Sequence, residues 1–105
     1  MFVQFSENTI LSGTSADPAV HLPDYLKLLA SGMGLSIPSP VAFTSAGRTG
    51  ARIDAKNDKL AMIAISLKVR GDRFADVIAY VPPGEEAARA ALIVSMVESL
   101  AYPAF

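Results

Sequence analysis

The chain contains no cysteine and no tryptophan, and it has a single histidine, His21. Without cysteine it can form no disulfide, no thiolate metal site and no cysteine nucleophile. His21 lies near Asp17 and Asp24 in the sequence, but a second histidine or a cysteine to complete a metal site is missing. We therefore predict no metal and no cofactor, and we interpret His21 as a residue at the start of a helix.

Charge is also scarce. Only 18% of the 105 residues are charged, the net charge is −1 and the mean hydropathy is +0.38. A net charge so close to zero gives no bulk attraction to nucleic acid or to an anionic membrane surface. A chain of this length and apolar composition predicts one domain, residues 1–105, that needs thorough burial or a partner surface.

Long apolar runs are missing too. The longest uncharged stretch, residues 28–47, is interrupted by glycines and prolines, so we predict no membrane span. The start, MFVQFSEN, lacks the basic and apolar regions of a signal peptide. An exported form would be a mature or trimmed chain to which Met1 had been added.

Catalytic motifs are not visible. The chain has no Gly-x-Ser-x-Gly elbow, and the turn at residues 47–50 lacks the lysine and the following helix of a phosphate-binding loop. Glu85 and Glu86 open a predicted helix, where the helix dipole favours negative charge, so a catalytic acid/base pair is not required to explain them. We predict that the protein is not an enzyme.

A period-two apolar pattern is the clearest positive signal. Residues 60–69 carry apolar side chains at every odd position, and residues 74–81 are rich in aromatic and β-branched residues. This predicts two strands joined by a turn at residues 70–72, where Gly71 permits the reversal. Pro82 and Pro83 end the second strand, because proline cannot donate to the ladder.

Further elements extend this hairpin. Val41–Ser45 and Ala51–Lys56 predict two more strands, so residues 41–81 form a four-stranded antiparallel meander. Residues 2–11 predict a small hairpin around a polar turn at 6–8, or an edge strand. One helix is predicted to open at His21–Asp24, with Tyr25, Leu28, Leu29 and Leu22 on its apolar face, and a second at residues 85–101. The predicted fold class is α+β, an antiparallel sheet of four to six strands covered by two α-helices.

The second helix is apolar around most of its circumference after Arg89. Ile93 and Val97 belong to one apolar stripe, and one face of the helix should lie on the sheet. The rest of the surface contacts the first helix or the N-terminal strands, or it forms a surface for a partner or for self-association. On the second alternative, we assign Ile93 and Val97 to a partner-binding surface.

The meander also predicts a cluster of arginines. Alternate turns of a meander lie at the same end of the sheet, so the turns at 46–50 and 70–72 should be neighbours. This brings Arg48, Arg52, Arg70 and Arg73 toward one end. Such a basic rim could bind an acidic protein surface, a carboxylate or a phosphate. The alternative is ordinary solvation, with Asp54, Asp72 and Asp76 as partners.

The order of elements, with a Gly-Arg-x-Gly-Ala-Arg turn before a strand and a final helix that ends at Ser-Leu, resembles the PsbP-like superfamily. This superfamily includes the P-type extrinsic subunit of photosystem II, a Ran-binding nuclear import factor and bacterial secreted or lipoprotein domains. The resemblance covers residues 9–102. It places the shared motif on Gly47, Gly50, Ala51, Arg52, Ser99 and Leu100.

The resemblance implies a non-catalytic module that binds or assembles with other proteins, and an exported location. Without it, the location would be cytoplasmic. We predict a protein-binding, assembly or accessory function, of an immunity or lipoprotein type, with another protein as partner and a homo-oligomer as a further possibility. The alternative is a small-molecule-binding or hydrolytic domain with a deep polar pocket.

Overall fold

A computed structural model describes residues 2–9, 17–29, 32–45, 47–70 and 73–99, with Thr9 and Arg70 described by their backbone alone. Within these residues the chain forms five strands and two helices. In chain order they are β1 (Phe2–Thr9), α1 (Pro18–Leu29), β2 (Val41–Ser45), β3 (Arg48–Lys56), β4 (Ala61–Arg70), β5 (Arg73–Val81) and α2 (Glu86–Glu98). The predicted α+β class is confirmed.

The strands form a single antiparallel sheet in the order β1-β5-β4-β3-β2. Strands β2 to β5 form the predicted meander, and β4 and β5 pair from Ala61↔Val81 to Arg70↔Arg73. The register shifts once in this pair, between Lys68 and Arg70. The predicted turn residues Gly71 and Asp72 lie outside the described residues.

Each face of the sheet carries one helix. The odd residues of β4 form a core with α2, as the period-two pattern predicted, and the odd residues of β5 belong to the same core; Ile63, Ile65 and Val77 are among its members. The even residues Met62, Ala64 and Ile78 form a second core with Leu22 and Leu26 of α1. Because both faces are covered, the two central strands are apolar on both sides.

Helix α1 begins earlier than predicted. Pro18 is its first residue, and the Asp17 carboxylate accepts a hydrogen bond from the Ala19 amide at 2.9 Å, which caps the helix. Pro23 therefore lies inside the helix rather than in its first turn. Leu26, four residues after Leu22, lies in the core, whereas Leu28, predicted on the apolar face, is exposed.

Strand β1 is one continuous edge strand. All eight residues pair with β5, from Phe2↔Tyr80 to Thr9↔Arg73, without a shift in register. The hairpin alternative is wrong, because the polar residues at 6–8 lie within the strand and form no turn there. Directly opposed residues of paired strands share a face, so Val3, Phe5 and Glu7 lie on the α2 face of the sheet.

Gly50 of β3 permits a close approach. A Cβ atom at this position would lie 2.6 Å from the carbonyl oxygen of Ser66 and 2.8 Å from Cδ2 of Leu67. Phe43 of β2 lies opposite Gly50 on the α2 face and packs against the core there. A residue with no side chain at 50 therefore leaves the room that Leu67 occupies in the core.

Candidate binding surface

Helix α2 places its side chains in rows of residues four apart. The row of Arg89, Ile93 and Val97 faces the sheet, where Ile93 and Val97 are 0% and 1% exposed. The assignment of Ile93 and Val97 to a partner surface is therefore wrong, because both side chains are in the core of this chain. The sheet buries one stripe of a helix that is apolar nearly all round.

The rows on either side of this buried row face different strands. Glu86 begins one flanking row, and its Oε1 lies 3.3 Å from Nζ of Lys56 on β3. That ion pair directs the row of Glu86, Ala90 and Val94 toward β3, and Ala90 and Val94 pack partly against the core. The opposite row, which contains Leu92 and Met96, is therefore directed toward β5 and β1.

Leu92 and Met96 are accessible to solvent, at 46% and 38% exposure. On the same face of the sheet, Phe5 of β1 is 49% exposed. These three side chains border the strip between α2 and the edge strand, and we call them the apolar flank. Apolar residues at this level of exposure on one side of a helix mark a surface that another protein can cover.

The two edges of the sheet differ in how they are protected. Strand β2 is five residues long, and Pro40 immediately precedes it, with Pro38 two residues earlier. Strand β1 is eight residues long, contains no proline and has one charged residue, Glu7. Short strands, prolines and charges protect a sheet edge from pairing with other chains, and β1 has few of these features.

The arginines predicted to form a basic rim are only partly brought together. Arg48, Arg70 and Arg73 lie where β3, β4 and β5 meet the same end of the sheet, as the meander predicts. Arg52 is not at that end. It pairs with Ile65 in the middle of the sheet. Arg48 is half-buried, and its Nη1 donates to the carbonyl oxygen of Val69 at 2.9 Å.

Arg52 contacts Asp54 on the same face of β3. Its Nε and Nη2 atoms donate to the two carboxylate oxygens at 2.9 Å each, which is the bidentate geometry of a strong ion pair. These hydrogen bonds, more than the Coulomb attraction of Asp54, raise the pKa of Arg52 above its usual range, against the opposing effect of partial burial. Of the aspartates expected to pair with these arginines, Asp54 pairs with Arg52, away from the end of the sheet.

The start of α2 also carries a charged cluster. The Glu86 carboxylate accepts hydrogen bonds from its own amide and, at 2.6 Å, from the Gly84 amide, and these bonds lower the pKa of Glu86. The ammonium of Lys56 lowers the pKa further. The β3 side of α2 is therefore charged, in contrast to the apolar flank on its β1 side.

Surface depressions lie along this charged β3 side of α2. One of about 390 Å³ is lined by residues that include Arg52, Asp54 and Val41, and another of about 220 Å³ by residues that include Asp54, Lys56 and Glu86. Their charged groups are engaged with one another as ion pairs.

A buried polar cluster lies on the opposite face, beneath α1. Asp76 of β5 and His21 of α1 are both fully buried, and His21 Nε2 lies 2.9 Å from Asp76 Oδ2. The same carboxylate oxygen accepts a hydrogen bond from Asn8 Nδ2 at 2.6 Å. Asn8 also donates to Ser6 Oγ at 2.9 Å. The cluster therefore joins α1 and the edge strand β1 to the centre of the sheet.

The imidazole ring lies between two aromatic rings. Phe74 stacks on it with ring centres 4.0 Å apart, and Tyr25 stacks at 5.6 Å. His21 Nδ1, Asp76 Oδ1 and Ser66 Oγ are buried without a hydrogen-bond partner among the described residues. Ser66 and Asp76 are directly opposed across β4 and β5. The three residue types of a hydrolase triad are present, but His21, Asp76 and Ser66 are all 0% exposed.

One residue of the sequence, Asp76, points to this cluster. Asp76 lies in the apolar strand Phe74–Val81, at a position whose face is otherwise buried. A charged residue at such a position requires a buried partner. The chain offers one histidine, and that histidine lies in a helix expected to cover the sheet. The interpretation of Asp76 as a surface partner for the arginines is wrong.

Within the described part of the chain, no three histidine, aspartate or glutamate side chains converge as a metal site requires. Neither α1 nor α2 is long and apolar enough to cross a lipid bilayer.

Comparison with known proteins gives a similarity of fold. No protein-family model matches the chain, and no curated protein sequence matches it. Among solved structures, it is similar to PA94 from Pseudomonas aeruginosa, a protein of unknown function for which a regulatory role has been suggested, with a TM-score of 0.56 at 10% identity. The match covers 99% of this chain and 85% of PA94. At this identity the two chains share a fold.

Proposed function

We propose that this protein is a non-catalytic accessory module that binds another protein through the apolar flank, Phe5, Leu92 and Met96. The observation that carries the proposal is the exposure of Leu92 and Met96 on a helix whose neighbouring row is already buried. Exposing two large apolar residues side by side has no benefit for the folded chain alone, whereas a partner that covers them gains about 25 cal/mol per Å² of apolar surface buried.

The arginines at the end of the sheet form a second part of this proposal. Arg73 is exposed next to the backbone of Arg70. An acidic rim on a partner would orient it on the apolar flank, since charges at the rim of an interface affect specificity and association rate more than affinity. An immunity-type or lipoprotein-type accessory role, and membership of the PsbP-like superfamily, remain part of the proposal.

A small-molecule-binding or hydrolytic domain is less well supported. Such a domain needs a polar group that solvent and substrate can reach. The His21–Asp76 pair has no exposed surface, and the depressions along β3 are lined by side chains that bind one another.

The test is a comparison of three immobilised proteins: the wild type, Leu92→Glu/Met96→Glu, and the control Ala91→Glu/Ser95→Glu. The control adds the same charge to the solvent-facing row of α2, where Ala91 and Ser95 are exposed. We expect proteins from the source organism to be retained by the wild type and the control and to be lost from the Leu92/Met96 variant. Equal retention by all three proteins would contradict the proposal.

A further inference from the structure

The outer edge of β1 can pair with a further strand. Among the described residues no strand lies beyond β1, so alternate residues along its eight positions have backbone N–H and C=O groups with no strand partner there. The pairing of β1 with β5 has no shift in register, and β1 contains no proline and one charged residue, Glu7. An added antiparallel strand would satisfy these groups with about six to eight hydrogen bonds, within the range of a typical protein interface.

We infer that this edge pairs with β1 of a second copy of the chain, antiparallel and with the two Phe5 residues opposed. This inference rests on the proposed protein-binding function and names a partner for the same surface. A two-fold axis perpendicular to the sheet would join the two five-stranded sheets into one of ten strands, with both α2 helices on the same face.

The sequence of β1 is compatible with this register. When Phe5 faces Phe5, Val3 faces Glu7, Gln4 faces Ser6 and Phe2 faces Asn8. No like charges are opposed, whereas a register centred on Glu7 would place two carboxylates directly opposite each other. The net charge of −1 also means that two copies do not repel at long range.

The same register accounts for the exposure of Phe5, one residue of the apolar flank. Phe5 is exposed at the edge and would meet its counterpart at the two-fold axis, where opposed aromatic side chains stabilise a strand pair. The other edge offers no equivalent site, because β2 is short and follows Pro40. The two edges therefore differ in how readily they can pair with another strand.

The lack of cysteine provides a direct test, since any introduced cysteine is the sole thiol of the chain. Phe5→Cys should give a disulfide-linked dimer upon mild oxidation. The matched control Val41→Cys replaces a residue that is 67% exposed on the opposite edge and should remain monomeric on a non-reducing gel. A cross-linked Val41→Cys with an unlinked Phe5→Cys would overturn the inference.

Sedimentation measures the association without a covalent bond. We expect the wild type to show a monomer–dimer equilibrium between about 1 and about 200 µM. Phe5→Lys opposes two lysines at the axis and should weaken the dimer at least ~10-fold, whereas Val41→Lys should leave it unchanged. A wild type that stays monomeric throughout, or a dimer unaffected by Phe5→Lys, would overturn the inference.

These outcomes can be distinguished from failure of the proposed function. If the wild type is monomeric yet loses its retained proteins on Leu92→Glu/Met96→Glu, the apolar flank binds another protein and the self-pairing is wrong. If the dimer forms through Phe5 and no protein is retained in a flank-dependent manner, the self-pairing stands and the accessory function fails.

Discussion

Removal of the Asp76 carboxylate should destabilise the fold more than removal of any charge at the surface. Asp76 Oδ2 accepts hydrogen bonds from His21 Nε2 at 2.9 Å and from Asn8 Nδ2 at 2.6 Å, and both His21 and Asp76 are fully buried. Asp76→Ala leaves one fully buried donor, His21 Nε2, and one half-buried donor, Asn8 Nδ2, without this acceptor. Because breaking a buried pair by removing one partner costs about 3–5 kcal/mol, we expect a loss of stability of this size.

The variant Asp76→Asn separates charge from hydrogen bonding. Its amide oxygen can accept the same two hydrogen bonds, while the amide nitrogen takes the place of Oδ1, which already has no partner. We expect Asp76→Asn to cost about half as much as Asp76→Ala, since a charged acceptor strengthens a hydrogen bond roughly twofold. This variant also keeps the measurement possible if Asp76→Ala does not fold, because small domains have only about 5–15 kcal/mol of stability.

Urea denaturation followed by far-UV circular dichroism gives the free energy of unfolding of each variant. His21→Leu and the double variant His21→Leu/Asp76→Ala complete a double-mutant cycle. We expect the two single changes to be non-additive by about 2 kcal/mol, because each removes the same interaction. Additivity within about 0.5 kcal/mol, or a loss below about 1 kcal/mol for Asp76→Ala, would refute the coupling of α1 to β5 through this pair.

Three further predictions concern the close approach of β3 to β4 at Gly50 and the packing and charge of α2. Gly50→Ala should destabilise the protein by about 1–3 kcal/mol, because its Cβ would lie 2.6 Å from the backbone oxygen of Ser66; a thermal melt like that of the wild type would contradict this. Ile93→Ala should cost about 2–5 kcal/mol in urea denaturation, whereas the exposed Leu92→Ala should remain within about 0.5 kcal/mol, and similar losses would refute the assigned rotation of α2. Glu86 has a pKa below its usual 4.5, so its contribution to stability is present above that pH and is lost as the pH falls through the lowered pKa. The stability difference between the wild type and Glu86→Gln should therefore disappear in acid, and a difference that persisted there would point to another cause.

Local patterns were sufficient to predict the meander. Between residues 41 and 81 the apolar period is two, and glycine, asparagine or proline marks three boundaries, so each strand could be placed from its own residues. The pattern also indicated that the odd residues of β4 face a core. It did not show that the even residues face a second core, because only the position of α1 on the opposite face determines that.

The wrong predictions concern segments in which two local sequence signals are equally strong. In these segments a contact with a residue distant in sequence determines the structure. Pro18 and Pro23 each follow or precede an aspartate, so either could begin a helix. In the structure the helix begins at Pro18, and His21 of this helix contacts Asp76. Likewise, Ser6 and Asn8 resemble turn residues, yet they are polar because they face the buried carboxylate of Asp76.

The binding surface could not be predicted from the sequence for a related reason. Helix α2 is apolar on most sides after Arg89, so its composition does not indicate which row the sheet buries. The burial of Ile93 rather than Leu92 follows from where β4 and β5 lie, together with the ion pair between Glu86 and Lys56. The exposed row of α2 can be identified only after the row that the sheet buries is known.

The arrangement of helices restricts where another protein can associate with this chain. Helix α1 covers β3 and β4 on one face, α2 covers β4 and β5 on the other, and the β3 side of α2 is occupied by the ion pairs of Arg52 and Lys56. Within the described residues, exposed apolar side chains and an unprotected strand edge coincide along β1 and the neighbouring row of α2. On the proposed function, a partner that gains both apolar contact and backbone hydrogen bonds would bind there, and β1 of a second copy, antiparallel and centred on Phe5, is the partner that we infer.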